Sequence, residues 1–259
     1  MSARYLVPGY QVVGLLRRSD MYDVYDAWSD ERQCRCVVKL LREQRRERAR
    51  DRARVRREGR LVLALAHPHI VRAYEVGSKP TPYIALESAT GATLERILED
   101  DGPLGARDLR RLGSQLCSAL GYLHGRGYLH LDVKTSNVAC DRGFAKLLDL
   151  SIARRPGRGR RGVGTRPYLA PEQRQGRLLT GATDVWGLGS LLYEAATGQR
   201  PYATLGADGY PTFAGAPPAV ATHRRLPGAL ARAIDRCLDL EPHGRPSITE
   251  LASLLATVP

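Results

Sequence analysis

The 259-residue sequence predicts an α+β fold of two lobes, a small β-rich N-lobe with one long helix and a larger, mainly helical C-lobe. Three observations carry this. Short runs rich in β-branched and aromatic residues crowd the start of the chain. One proline-free, heavily charged segment of good helix formers interrupts them. Beyond SATGAT the apolar spacing turns helical.

Taken in order, YQVVGLL, YDVYDAW and CRCVVKLL read as strands. In REQRRERARDRARVRREGRLVLALA, residues Glu58, Leu61, Val62 and Leu65 fall on one helical face. HPHIVRAYEVG and PYIALES read as two further strands. Leu109, Leu112, Leu116, Leu120 and Leu123 then make a helical stripe, and DVWGLGSLLYEAAT is apolar nearly all round, the mark of a buried helix. Leu230, Ile234, Cys237 and Leu238 form another face, and Ser247 with Glu250 opens the last helix as a capping box. No repeat or long linker divides the chain. A single domain over 1–259 is expected, with an N-lobe at 1–87, a hinge at 87–91 and a C-lobe at 92–259.

Composition narrows the function classes. An apolar content of 43% fits a globular chain. No apolar run approaches the roughly 20 residues of a membrane span, and MSARYLVPGY lacks a signal-peptide core, so a cytoplasmic protein is expected. The five Cys are scattered, which speaks against a disulfide framework or a zinc site. The net charge of +13 comes from a composition in which only four of the 40 basic residues are Lys. That skew reads as surface composition. No aromatic residues interleave with the basic run at 42–60, so no nucleic-acid partner is expected.

A few polar residues stand out from these patterns. Lys39 sits among Val37, Val38, Leu40 and Leu41, where a cation is costly to bury unless paired; the plain alternative is an edge strand with the Lys in water. Glu58, on the apolar face of the charged helix, is the candidate partner. In YLHLDVKTSN, Asp132 is suited to accept a proton from an attacking hydroxyl, Lys134 to neutralise charge on a moving phosphoryl group, and Asn137 to bind a metal ion. In LLDLS, Asp149 follows an apolar strand, a good position for a second metal ligand.

These pieces, with VYDAW, CVVKLL, RREGRL, HPHIV, YIALES, DLSIAR, GTRPYLAPEQ, DVWGLGSLLYEAATGQRPY and GRPS, run in one order along nearly the whole chain. In that order they resemble the eukaryotic-type protein Ser/Thr kinases, in a bacterial form. The resemblance implies the two-lobed protein-kinase fold with ATP and Mg²⁺ (or Mn²⁺) in the cleft, and a protein substrate with a Ser or Thr acceptor. It implies that Lys39 contacts the α- and β-phosphates and pairs with Glu58, that Asp132 is the catalytic base, and that Asn137 and Asp149 hold the metal. Val24, Val37, Leu86, Glu87, Ala89 and Ala139 would surround the adenine, Glu87 and Ala89 through their backbones. Lys134 with Thr165 fits the Ser/Thr pattern, with Thr165 hydrogen-bonded to Asp132 and Lys134. Glu172 and Arg245 would form a buried ion pair, and Asp184 would bond the catalytic-loop backbone.

The chain also departs from that pattern. Arg17, Ser19 and Tyr22 stand where the lid of the family has glycines, which predicts weaker ATP binding. Val37 and Ala139 exchange a small ceiling and a large floor around the base for the reverse. Leu131 replaces the Arg that precedes the catalytic Asp, and no Ser, Thr or Tyr lies between Ile152 and Gly164. Together these predict a working catalytic loop with no phosphate switch in that segment, controlled by the lid, the helix or a regulatory partner. Arg154, Arg155, Arg158, Arg160 and Arg161 predict acidic targets, against plain surface composition, and the Gly and Pro among them predict a mobile loop. The competing reading is a pseudokinase acting as a binding module. A small-molecule kinase is opposed by GTRPYLAPEQ, a feature of protein-substrate recognition.

Overall fold

A computed structural model describes residues 5–202, 204, 206, 213 and 215–257. It divides into two compact units, Met1–Ala89 and Thr90–Pro259, a boundary that falls inside the segment 87–91.

The first unit is built on an antiparallel sheet. Its strands are β1 (Tyr5–Val7), β2 (Tyr10–Arg18), β3 (Tyr22–Ser29), β4 (Cys34–Leu41), β5 (Ala73–Gly77) and β6 (Tyr83–Glu87). They lie in the order β1-β2-β3-β4-β6-β5. The register places Val24 opposite Lys39 and Val37 opposite Leu86. Because side chains alternate across a strand, Tyr22, Val24, Val37, Lys39 and Leu86 share one face. The other face carries the core cluster of Val7, Tyr10, Ala27, Cys36, Val38, Leu40, Tyr83 and Ala85.

The charged segment forms helix α1 (Ala49–Leu63), preceded by a 3-10 turn at Glu43–Arg45. The helix starts later than the run of helix formers because no Ser, Thr, Asp or Asn caps it; Arg48 holds the N-cap position without a side-chain bond. Its expected inner face is buried, with Leu65 just past the end. Gly59 allows α1 to lie close on β5, since a Cβ there would come within 2.4 Å of Val76 Cγ2. One expectation changes. In HPHIVRAYEVG only Ala73–Gly77 is strand. Pro68 cannot donate to a ladder, and Ile70 N–H turns back onto His67 O at 3.1 Å.

The second unit is mainly helical. It begins with β7 (Ala92–Thr93), α2 (Leu94–Asp101) and α3 (Ala106–Gly125), followed by β8 (Val138–Asp141) and β9 (Phe144–Leu147). β10 (Gly157–Arg158), α4 (Pro171–Gln175), β11 (Leu178–Leu179), α5 (Gly181–Thr197), α6 (Val220–His223), α7 (Gly228–Cys237) and α8 (Ile248–Ala256) complete it. β7, β8 and β9 form one small sheet and β10 pairs β11. The leucine stripe of α3 is buried, as are the apolar residues of α5 from Val185 onward. At Gly189, α5 meets α7 so closely that a Cβ would lie 2.3 Å from Cys237 Cβ. The capping box of α8 is formed, with Glu250 N–H donating to Ser247 Oγ at 3.1 Å and Ser247 N–H to Glu250 Oε2 at 2.7 Å.

Candidate active site

The candidate residues form two clusters, one in each unit. In the first, β4 carries Lys39 and α1 carries Glu58, only 6% and 5% exposed, and the two form an ion pair. Tyr22 joins them. Its hydroxyl donates to Glu58 Oε2 at 2.6 Å, and Lys39 Nζ stands 4.5 Å from the centroid of its ring. Val24 and Val37 are half-buried on the same sheet face, and Leu86 is buried there. Glu87, at the end of β6, donates its N–H to Arg72 O at 2.9 Å. Ala89 follows β6 and is half-buried.

The turn from β2 to β3 is tied by Ser19. Its Oγ accepts from Tyr22 N–H at 3.0 Å and Met21 N–H at 3.4 Å, while Ser19 N–H donates to Tyr22 O at 2.8 Å. Arg17 is exposed on the end of β2.

In the second cluster, Asp132 is a shared acceptor. Oδ1 takes the Thr165 hydroxyl at 2.6 Å and Thr165 N–H at 3.1 Å. Oδ2 takes Asn137 Nδ2 at 2.9 Å and pairs with Lys134 Nζ at 3.0 Å. Lys134 also donates to Thr165 Oγ1 at 2.5 Å. Asn137 precedes β8 and Asp149 follows β9; these strands pair with Val138 opposite Leu147, so both residues lie at the same end of one hairpin. Leu148 N–H donates to Asn137 O at 2.8 Å. Asp149 takes a left-handed backbone, φ 46°, a conformation that Asp tolerates better than most residues. Ala139, buried on β8, pairs with Thr93 and Lys146.

The loop before Asp132 is anchored from below. Asp184, at the start of α5, accepts from His130 N–H at 2.8 Å and Leu131 N–H at 2.7 Å. Glu172 and Arg245 form a two-pronged ion pair at 2.7 and 3.0 Å. Leu131, at φ 66°, packs into an apolar cluster with Leu129, Leu179 and Ile152. Its carbonyl accepts from Gln173 Nε2 at 3.0 Å, and the same amide donates to Val163 O at 3.1 Å.

The arginine-rich segment, expected to be a mobile loop from its Gly and Pro, has backbone pairings along its path. Leu129 bridges Arg154, β10 pairs β11, and Gly162 N–H donates to Gln173 O at 2.9 Å. Arg155, Arg158, Arg160 and Arg161 remain exposed.

A family model described as the protein kinase domain matches residues 11–254. The chain belongs to the protein kinase family. It is 36% identical over 179 residues to the Serine/threonine-protein kinase PknB of Mycolicibacterium smegmatis, covering 64% of this chain and 29% of that protein. It is 33% identical over 205 residues to PknB of Mycobacterium leprae, covering 74% and 33%. It is 34% identical over 242 residues to the Serine/threonine-protein kinase PkaA of Streptomyces coelicolor, covering 86% and 42%. The chain thus spans less than half the length of these curated relatives. Its α+β make-up, a β-rich unit with one long helix and a larger helical unit, is that of the protein kinase fold.

Against the kinase pattern, sequence reasoning missed two side chains. Tyr22 was read as a bulky lid residue, whereas it is a buried partner of Glu58. The period of β3 carried the signal, because Tyr22 lies two residues before Val24 and so on the Lys39 face. Gln173 had no local signal, since its partners Leu131 and Val163 are remote in sequence.

Proposed function

We propose that this kinase domain, a single domain over 1–259, transfers the γ-phosphoryl group of ATP to Ser or Thr hydroxyls of a protein substrate in the cytoplasm. The observation that carries the reading is the constellation around Asp132. A hydroxyl, that of Thr165, already sits 2.6 Å from the Asp132 carboxylate, within the range a general base needs. In the reaction Asp132 takes the proton of the acceptor hydroxyl. The acceptor oxygen bonds the γ-phosphorus as the bond to the leaving ADP oxygen breaks, and the proton passes on to solvent. Lys134 lies beside both groups and offsets the charge that gathers there.

Lys39, held by Glu58, meets the α- and β-phosphates, and Val24, Val37, Leu86 and Ala139 with the Glu87 and Ala89 backbones receive the base. Asn137 and Asp149 suit Mg²⁺ or Mn²⁺, because both offer hard oxygen donors and such ions take only one or two protein ligands beside phosphate. The Asn137 amide nitrogen is committed to Asp132, which leaves its oxygen as the end for a metal. When bound, the ion would neutralise phosphate charge.

The segment 152–164 works without a phosphate switch. It has no hydroxyl, and Leu131 fastens it through apolar contacts where an Arg would need a phosphate. The exposed Arg residues favour acidic substrates or an acidic regulatory partner. One observation favours a pseudokinase instead: the amides of the lid turn are already taken by Ser19 Oγ. Pure protein, labelled ATP, Mg²⁺ or Mn²⁺ and a general protein substrate test the reading. Label should enter the substrate with the wild-type chain and not with Asp132→Asn. Equal labelling by the two proteins would remove Asp132 from the chemistry.

A further inference from the structure

We propose that Tyr22 is a positioning residue for the Lys39–Glu58 pair. For its catalytic consequence this rests on the reading that Lys39 meets the nucleotide phosphates. Tyr22 occupies a lid position at which kinases of this type have glycine, yet it is only 3% exposed. It opposes Leu41 in the β3–β4 register, so it stands diagonally across from Lys39 on the same face.

The chemistry of the cluster is complementary. Glu58 has two carboxylate oxygens; Oε1 holds the Lys39 ammonium and Oε2 accepts the Tyr22 hydroxyl. The negative face of the Tyr22 ring lies 4.5 Å from the same ammonium. Tyr22 therefore touches both ions of a pair that water scarcely reaches. With the phenol gone, Oε2 loses a short donor in a buried setting, where a carboxylate is least tolerant of the loss. The carboxylate then keeps its bond through Oε1 but loses the one through Oε2, and the Lys39 ammonium loses the ring beside it. A glycine at position 22 supplies neither the donor nor the ring.

The three lid departures are thus of different kinds. Arg17 is exposed and Ser19 engages the amides of its own turn. Glycine at 17 and 19 should release those amides and tighten ATP binding. Glycine at 22 should loosen the Lys39–Glu58 pair and weaken it.

The test compares the wild type with Tyr22→Phe, Tyr22→Gly and the double variant Arg17→Gly/Ser19→Gly. The first readout needs no nucleotide: the rate at which an amine-reactive acyl ester modifies Lys39, mapped by mass spectrometry, with Glu58→Gln as the reference for a broken pair. The second is KM for ATP against kcat. Tyr22→Phe removes one oxygen atom and keeps the ring, so it should fold. It should label Lys39 about two- to tenfold faster, the range spanned by one net hydrogen bond. KM for ATP should rise in step while kcat changes less, and Tyr22→Gly should exceed Tyr22→Phe in both. Lys39 labelling at the wild-type rate in folded Tyr22→Phe overturns the proposal, as does tighter ATP binding in Tyr22→Gly. If no variant transfers phosphate but labelling responds as stated, the kinase reading fails and the role of Tyr22 stands. If transfer is robust and labelling is unmoved, the reverse holds.

Discussion

Leu131 occupies a left-handed backbone at φ 66°, which for a non-glycine residue costs about 1–3 kcal/mol. The burial of its side chain among Leu129, Leu179 and Ile152 offsets that strain. Leu131→Arg, which restores the residue common in this position, is therefore expected to harm the protein. It brings a cation into an apolar cluster with no phosphate to meet it. The thermal midpoint should fall and phosphoryl transfer with it, whereas Leu131→Met should change both little. At the same scale, Lys39→Met strands Glu58 in a buried site. Denaturant titration should show a loss of about 3–5 kcal/mol, the usual range for breaking one side of a buried pair. The chemical identity of these residues was readable in the sequence: Lys39, Glu58 and Asp132 each violate their local pattern. Their contacts were not. Nothing near Leu131 announces Leu179, because that contact is made by a chain reversal that the pattern of one segment does not encode; the period of β3 places Tyr22 on the Lys39 face, but its bond to Glu58 comes from a separate helix.

At the scale of elements, long periodic segments were legible and short ones were not. The stripe of α3 and the all-round apolar α5 follow directly from spacing. β10 and β11 have two residues each, too few to show a period, and they exist because β10 and β11 pair with one another. That pairing, with Gln173, gives the arginine-rich segment its path. Gln173→Ala should leave Leu131 O and Val163 O without a donor and Ala170 N–H without an acceptor. A cost of about 1–3 kcal/mol is expected for such buried losses. Amide hydrogen exchange over 160–164 should speed up before the rest of the unit is affected. Phosphatase treatment of the wild-type chain should leave its rate unchanged; a large loss tracking a phosphate on Ser151, Thr165 or Tyr168 would show a switch after all.

At the scale of the whole molecule, burial sets the chemistry of the thiols. Burial pushes Cys36 and Cys140 up to about 11 and Cys117 up to about 12. At pH 8 a thiol of pKa 11 is ionised in only about one molecule in a thousand. Native protein should therefore resist alkylation at these three positions and react at all of them once unfolded, which mass spectrometry can follow. The net charge of +13 should draw acidic proteins, and peptide arrays with and without Asp or Glu beside the acceptor would show whether the exposed Arg residues select for them. The apolar clasp around Leu131 carries a last consequence. Ion pairs between phosphate and arginine loosen as salt rises. Methyl groups behave otherwise, since hydrophobic attraction fades on cooling and strengthens in excluded salts such as sulfate. A loop fastened in this way answers to the weather of its surroundings more than to its neighbours' enzymes: chilled, the segment should slacken, and in concentrated sulfate it should hold.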